Sequence, residues 1–301
     1  MNINQASMSM HIHQTLLKCL SLNPISHGLP LLREILERYM IVFDKGLVDE
    51  YDCQQTLHLF SAMLYELEQL SRYDSSKTLN ECYLYSLAGM IKHQKELILQ
   101  EIELQKQRRA KNTLNFHQYV ETIIKDYYKV LIVRVDLSYK KDQRHFVTIN
   151  EFVNDIKRLR NLIKDKNSCF KHLLGYGIAL EQGKEKDYHA HLYLIYNGSK
   201  TQNAWPRARL ILEKWEKLTK YGTGFNCHTT EYLKTLQEAD RRGIGMIHRN
   251  NPQEVKNALY VASYLTKPEK HPQTLLIRLP SMHTFMKGQY KPHGRQYQRK
   301  D

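Results

Sequence analysis

The hydrophobic residues in the first third of the chain recur at the spacing of helices. Three such runs lie between residues 29 and 110, with apolar side chains three or four positions apart. The first run follows Pro30, the second spans 57–70, and the third starts near Ser75–Ser76 and continues into a charged stretch. The pattern predicts an α-helical N-terminal region over residues 1–112, in which no combination of residues indicates chemistry.

After Asn112 the pattern changes to the alternation with a period of two that is typical of strands. The segment 129–138 is predicted to place Leu131, Val133, Val135 and Leu137 on one face of a strand, and Val130, Ile132, Arg134 and Asp136 on the other. The further predicted elements are a helix over 149–166, strands over 172–181 and 188–196, a helix over 206–219, a strand over 243–248 and a helix over 252–267.

The order of these elements predicts the fold class. The series β-α-β-β-α-β-α is typical of an α+β domain, here over residues 113–280. We expect an antiparallel sheet with helices on one face, in a ferredoxin-like or RRM-like plan. The last residues, 281–301, mix lysine and arginine with aromatic side chains and predict a basic C-terminal tail.

The net charge of +14 is concentrated in the later part of the chain. Residues 1–110 hold 11 lysines and arginines against 13 acidic residues, whereas the remainder holds 34 against 18. Such an excess favours a polyanionic partner, because basic side chains release the counterions of phosphates. A basic surface without a partner is the alternative. Arg134, Lys287 and Lys291 are the predicted contacts to nucleic acid.

The cysteines and the apolar stretches indicate the cellular compartment in which the protein is expected. The five cysteines are scattered, odd in number and never spaced as C-x-x-C, which predicts reduced thiols and neither a disulfide framework nor a zinc site. No apolar stretch is long enough to span a bilayer, and the start of the chain lacks the pattern of a signal peptide. We therefore expect a cytoplasmic protein with no membrane partner.

Two histidines lie two positions apart in the apolar segment HAHLYLIY. His189 and His191 share one face of the predicted strand. If the preceding hairpin pairs Glu181 with His189, a carboxylate joins the two imidazoles above Gly177 and Ala179, which are small enough to leave space for a substrate. This set suits Mg²⁺ or Mn²⁺ with open positions. The alternative is a pair of partly exposed strand histidines, since 15 histidines produce an H-x-H by chance.

The segment ALYVASYLTK places two tyrosines on one face of a predicted helix. Tyr260 and Tyr264 are four residues apart, and Lys267 follows Tyr264 by three. A phenol is a poor nucleophile near neutral pH because its pKa is about 10. A neighbouring ammonium group stabilises the phenolate, or the phosphate charge that it attacks. The alternative is a pair of core tyrosines, since aromatic residues at helical spacing usually pack inside.

Together these segments resemble the HUH endonucleases. Within them the chain is most similar to the replication initiators of inoviruses and to the related YagK/YfjJ C-terminal domain of prophages. The resemblance covers about residues 125–270. It rests on VRVDLSY at 133–139, DYHAHLYL at 187–194, the stretch from Trp215 to Phe225 with its GTGF, GIGMI at 243–247 and SYLTK at 263–267.

The resemblance implies a metal centre. His189 and His191 would hold a divalent ion, Mg²⁺ or Mn²⁺, with Glu181 as the third ligand and Glu185 or Asp136 as substitutes for it. The ion would act as a Lewis acid on the scissile phosphate of single-stranded DNA, at an origin or a hairpin.

The resemblance also implies roles on the tyrosine helix. Tyr264 would attack the phosphorus and leave a 5′-phosphotyrosine adduct with a free 3′-OH. Lys267 would stabilise the negative charge of the phenolate or of the phosphate that it attacks. Tyr260 would serve the second transfer, which closes a replicated circle. Related helices often carry lysine where this chain has Ser263, so Lys267 would bear that role alone.

The expected function is therefore rolling-circle replication initiation, by nicking and rejoining single-stranded DNA, with a host replication helicase as a further expected partner. An HUH transposase or mobilisation relaxase is one alternative, which would use the same site on a different DNA. A non-catalytic RRM-like protein, whose tyrosines and histidines stack bases, is the other. A metal-dependent covalent DNA adduct separates the enzymes from the binding protein.

Overall fold

The computed structural model describes residues 4–22, 28–71, 79–267 and 273–292. Its helices are α1 (Gln5–Ser21), α2 (Leu29–Tyr39), α3 (Leu47–Glu50), α4 (Gln55–Ser71), α5 (Glu81–Asp126), α6 (Ile149–Asp165), α7 (Ala204–Leu218), α8 (Thr230–Glu238) and α9 (Pro252–Tyr264). Its strands are β1 (Asp52–Cys53), β2 (Lys129–Tyr139), β3 (Leu173–Gly183), β4 (Asp187–Asn197), β5 (Gly222–Asn226), β6 (Gly245–His248), β7 (Ile277–Arg278) and β8 (Phe285–Lys287). The predicted helix start at Ser75–Ser76 and the tail beyond residue 292 lie outside the described residues.

The N-terminal region is helical, as its apolar spacing predicts, but one helix extends far beyond it. α5 runs for 46 residues without a break, and the boundary predicted between residues 112 and 113 lies inside it. Buried residues of its first half, from Leu84 to Ile98, share a core with α1, α2 and α4. Those of its second half, from Phe116 to Ile124, share a core with the sheet. The helix thus joins the N-terminal region to the sheet.

Hydrophobic spacing does not reveal α1, because polar side chains share its buried face. Ser9, His13 and Thr15 are buried there among apolar residues. His13 Nδ1 lies 2.8 Å from Thr56 Oγ1 of α4, and Ser9 Oγ donates to the carbonyl of Ala6. Paired in this way, buried polar groups cost little free energy. The face therefore packs although its sequence is mixed.

The main sheet is antiparallel, and its strand order is β5-β2-β4-β3-β8. β6 also pairs with β2, at residues Lys129 to Ile132, whereas β5 pairs with the other end of β2, from Val135 to Tyr139. A second, two-stranded sheet of β1 and β7 ties the segment after α9 to the N-terminal region.

Helices cover both faces of the main sheet. The residues of β2 from Leu131 to Leu137 that alternate on one face share a core with α6 and α7. Val130 and Ile132, on the other face, share a core with α5 and α9. The predicted alternation of β2 is confirmed, but the prediction of helices on one face is wrong. The reason is the length of α5, whose second half crosses the face that the sequence pattern leaves open.

The strands β5 and β8 are absent from the sequence-based prediction. β5 reads GTGFN and has no alternation of its own; its pairing depends on close approach to β2. A Cβ at Gly224 would lie 2.6 Å from the carbonyl oxygen of Asp136, so a larger residue there would push the strands apart. β8 lies inside the predicted tail, and Phe285 packs edge-on against Phe116 of α5. The first part of the tail is therefore an edge strand.

A buried histidine is hydrogen-bonded to the backbone of β2 and makes the stability of the fold depend on pH. His228 Nε2 accepts a hydrogen bond from the backbone N–H of Arg134 at 3.1 Å. Burial, with a smaller contribution from Arg242, lowers the pKa of His228 from 6.5 to about 4. The unfolded chain takes up this proton below pH 6.5 and the folded chain only near pH 4, so acid favours unfolding across that window.

We therefore expect urea midpoints measured between pH 7 and pH 4 to fall less in His228→Gln than in the unsubstituted protein. The glutamine carbonyl keeps an acceptor but does not titrate. Equal pH dependence of the two proteins would contradict this role.

Candidate metal centre and tyrosine cleft

The β3–β4 hairpin has the register that the sequence predicts. Glu181 pairs with His189, and Ala179 pairs with His191. Alternation then places the carboxylate and both imidazoles on the face that α5 and α9 cover. The prediction that Gly177 and Ala179, on the same face of β3, leave space for a substrate is wrong. A Cβ at Gly177 would lie 2.4 Å from the ring of Phe116, so this space is filled by α5.

Glu181, His189 and His191 form a buried cluster. Each offers one ligand atom, and these atoms lie within 4.8 Å of one another. Glu181 Oε2 is 3.2 Å from His191 Nε2 and 3.6 Å from His189 Nε2. Two imidazoles and a carboxylate converging in this way suit a divalent ion with positions left for other ligands. The residues present therefore fit the predicted metal.

A second carboxylate orients His191. Asp136 Oδ1 lies 2.6 Å from His191 Nδ1, which turns Nε2 toward Glu181. Burial alone would lower the pKa of His191, but the hydrogen bonds to Asp136 and Glu181 outweigh it and raise that pKa. A carboxylate behind a ligating imidazole is a common outer-shell partner in metal sites. Asp136 thus lies behind the cluster, and Glu185 lines the cleft beside it.

We expect Asp136→Asn to weaken Mn²⁺ binding by about 10- to 100-fold, the usual cost of losing an outer-shell partner. The amide fits the same space but removes the charge that stabilises the His191 N–H. Isothermal titration calorimetry with Mn²⁺ measures this. Asp155→Asn, whose carboxylate accepts from Tyr139 Oη, is the matched control. Unchanged affinity in Asp136→Asn would show that His191 needs no such support.

A cleft of about 700 Å³ connects the cluster of Glu181, His189 and His191 with α9, which carries Tyr260 and Tyr264. His189 and His191 line it from β4, and Tyr260 and Tyr264 line it from α9. The two tyrosines are 38% and 39% exposed, so they are not core residues. The lining of the cleft is net positive: its basic residues are Arg134, Lys184, Lys186 and Arg241, and its acidic residues are Asp136 and Glu185.

Lys267 lies near Tyr264, as its sequence spacing predicts, but it is closer to Tyr260. α9 ends at Tyr264, so Lys267 is beyond the helix. Its Nζ lies 3.5 Å from Tyr260 Oη, and 4.5 Å from the centre of the Tyr260 ring against 5.8 Å for Tyr264. The buried cation at Tyr264 is Arg134, with its guanidinium 5.6 Å from the ring centre.

Arg134 connects the two halves of the cleft. Its Nη2 lies 3.2 Å from Asp136 Oδ1, and the same oxygen contacts His191. Arg134 is buried, and it was predicted as a nucleic-acid contact from charge alone. The other two predicted contacts are elsewhere: Lys287 lies on β8 with its Nζ 4.6 Å from the Tyr119 ring, and Lys291 follows that strand.

The N-terminal helix α1 holds the turn of the hairpin. Asn4 Nδ2 and Ser7 Oγ donate to the buried carboxylate of Asp187 at 2.6 and 2.8 Å, and Arg144 Nε lies 2.8 Å from it. The carbonyl of Asp187 in turn lies 2.9 Å from His189 Nδ1. Sequence reasoning missed this role, although Asp187 lies within the DYHAH motif. The N-terminal region thus positions a predicted metal ligand.

We expect Asp187→Asn to weaken Mn²⁺ binding by roughly tenfold, the lower end of the outer-shell range. Asp187 has a φ of 52°, and asparagine tolerates this left-handed conformation, so the substitution removes charge without changing the backbone preference. Calorimetry with Mn²⁺ and circular dichroism test this together. Asp165→Asn, at the exposed end of α6, is the control. A normal affinity in a folded Asp187→Asn protein would contradict the link through α1.

The fold and the site define an α+β protein with an antiparallel sheet and a candidate His₂Glu metal centre beside two tyrosines. The family model of the YagK/YfjJ C-terminal domain matches residues 92–275, which is more than half of the chain. The chain therefore belongs to the YagK/YfjJ C-terminal domain family. No curated protein and no solved structure matches it. In the part of the chain that the structure describes, no helix is long and apolar enough to cross a membrane.

Proposed function

We propose that the protein is an HUH endonuclease that nicks and rejoins single-stranded DNA through a 5′-phosphotyrosine intermediate, as a rolling-circle replication initiator. The observation that carries this proposal is the shared cleft, which His189 and His191 line on one side and Tyr260 and Tyr264 on the other. A binding module has no use for a convergent carboxylate–imidazole cluster, whereas a nuclease that activates a phosphate with a divalent ion can use one to hold the ion.

The strand order supports the ferredoxin-like part of the proposal. Taken in chain order, β2, β3, β4 and the pair β5 and β6 are the first, second, third and fourth strands of a βαββαβ unit. Their order across the sheet is fourth, first, third, second, with all neighbours antiparallel. This strand order is compatible with a ferredoxin-like plan to which β8 is added at one edge.

The proposed chemistry assigns one task to each group in the cleft. A bound divalent ion supplies Lewis-acid activation of the phosphate. Tyr264 loses its phenolic proton and its oxygen bonds to phosphorus, while the bond to the 3′-oxygen breaks and that oxygen takes up a proton. Arg134 stabilises the charge that develops beside Tyr264. Tyr260, with Lys267 at its hydroxyl, accepts the strand in the second transfer.

The ends of the cleaved DNA test this assignment. We expect a pool of single-stranded DNAs with a randomised segment, incubated with the protein and Mn²⁺, to yield products whose 3′ ends a polymerase extends. The 5′ ends should be covalently blocked by the protein and should still carry a short tyrosyl peptide after protease digestion. Products with free 5′ phosphates would indicate hydrolysis by a metal-bound water and would overturn the tyrosine mechanism. Binding without any cleavage would favour an RRM-like binding module.

A further inference from the structure

A second groove opens between the helices α1 and α2, next to the β3–β4 turn. Its volume is about 460 Å³. Lys184, in that turn, lines this groove and also lines the tyrosine cleft. Ser7, which holds the same turn through Asp187, lines the groove as well. The two cavities therefore meet at the β3–β4 turn, where Lys184 lines both of them.

The groove is positively charged although the N-terminal region as a whole is not. Lys18, Arg38 and Lys184 are exposed along it, and Glu34 is the one acid among its described lining residues. Burial is the largest effect on His11 and lowers its pKa. The positive charges of Arg38, Lys18 and Lys184 lower this pKa further, whereas Glu34 raises it. Three cations around one small cavity form a site for phosphate groups.

The groove also presents one partly exposed ring, the imidazole of His11, which contacts the buried Tyr39. His11 Nδ1 lies 2.9 Å from Tyr39 Oη, and the two rings meet edge-on with centres 5.7 Å apart. This contact fixes the orientation of an imidazole that is only partly buried. An imidazole fixed next to basic side chains can stack on a base of single-stranded nucleic acid without reading its sequence.

We propose that this groove is a second subsite for single-stranded DNA, which holds the phosphates of the strand as it leaves the tyrosine cleft past Lys184. The identity of the ligand rests on the proposed function. The groove itself, apart from Lys184, is built by residues that lie outside the family match. The N-terminal helices would thus extend the DNA-binding surface as well as hold the hairpin.

The length dependence of DNA binding tests this subsite. Fluorescein-labelled oligodeoxythymidines of increasing length are titrated with the full chain and with the double variant Lys18→Gln/Arg38→Gln, at several salt concentrations. The matched control is Lys92→Gln/Lys95→Gln, which removes the same charge from exposed positions of α5. All three proteins are compared without Mn²⁺, so that binding is measured apart from cleavage.

We expect the double variant to bind the shortest oligonucleotides normally and to lose the gain in affinity that longer ones bring. For long oligonucleotides its slope of log affinity against log salt should be shallower by about 1.4, or about 0.7 for each phosphate that the variant no longer neutralises. The control should keep the slope of the unsubstituted protein. Equal curves for the variant and the control, or a weakening that is the same for short and long oligonucleotides, would overturn the subsite.

The two proposals fail in different ways. If Mn²⁺-dependent cleavage is absent but the long oligonucleotides bind through Lys18 and Arg38, the subsite stands and the endonuclease does not. If the double variant cleaves and binds DNAs of every length like the unsubstituted protein, the endonuclease stands and the subsite does not.

Discussion

Replacing Tyr264 with phenylalanine is expected to eliminate the first covalent DNA adduct, with a loss of at least about 10³-fold in nicking rate, the scale on which removal of a covalent nucleophile acts. The reason is the position of Tyr264 beside Arg134, a buried cation that also contacts Asp136 behind His191. A fixed charge near the metal cluster favours the negative transition state more than an exposed one does.

Tyr260→Phe is the matched variant on the same helix face. Its neighbours are Lys267 and the exposed Arg241, whose guanidinium lies 5.6 Å from the ring centre. We expect this variant to form the first adduct and to fail in strand rejoining. Mass spectrometry of protease digests assigns the modified residue. Phosphotyrosine found only at position 260 after the first nick would reverse the two roles.

Replacing His189 or His191 with alanine is expected to abolish cleavage that depends on a divalent ion and to leave DNA binding largely intact. Each substitution removes one of three convergent ligands, so Mn²⁺ affinity should fall by more than the roughly 100-fold cost of an outer-shell change. The cations of the cleft and the second groove are untouched, which preserves attraction for the DNA backbone.

The control for these variants is His93→Ala, an exposed position on α5. Calorimetry with Mn²⁺, gel cleavage and fluorescence anisotropy with single-stranded DNA are run on all three proteins. Cleavage that persists in both His189→Ala and His191→Ala would refute the metal assignment. Loss of DNA binding together with cleavage would indicate a structural role instead.

The sequence predicts the grouping of Glu181, His189 and His191 well because strand geometry is simple. A period of two and one assumed pair, Glu181 with His189, determine which side chains share a face, and the observed register is the same. The cations around Tyr264 could be predicted only in part. Helical spacing places Lys267 near Tyr264, and its Nζ lies 5.8 Å from the ring centre. Arg134, at 5.6 Å, comes from β2 and could not be assigned to Tyr264 from spacing.

The contribution of the N-terminal region could not be predicted because it depends on contacts between residues far apart in the sequence. Asn4 and Ser7 are 183 and 180 positions from Asp187 in the sequence and meet it only in the folded structure. The hydrophobic pattern reports which face of an element is buried, not which polar groups meet across the interface. The same limit applies to β5, whose strand pairing depends on a glycine contact with β2.

The central claim is that one cleft combines a divalent metal and a tyrosine nucleophile to cleave single-stranded DNA. The most direct measurement is denaturing gel electrophoresis of the protein after incubation with internally labelled single-stranded DNA, with Mn²⁺ or with a chelator. The account predicts a labelled protein band that needs Mn²⁺, resists boiling in detergent and disappears in a Tyr264→Phe/Tyr260→Phe variant. A band of equal strength in the chelator, or one that survives removal of both tyrosines, would contradict it.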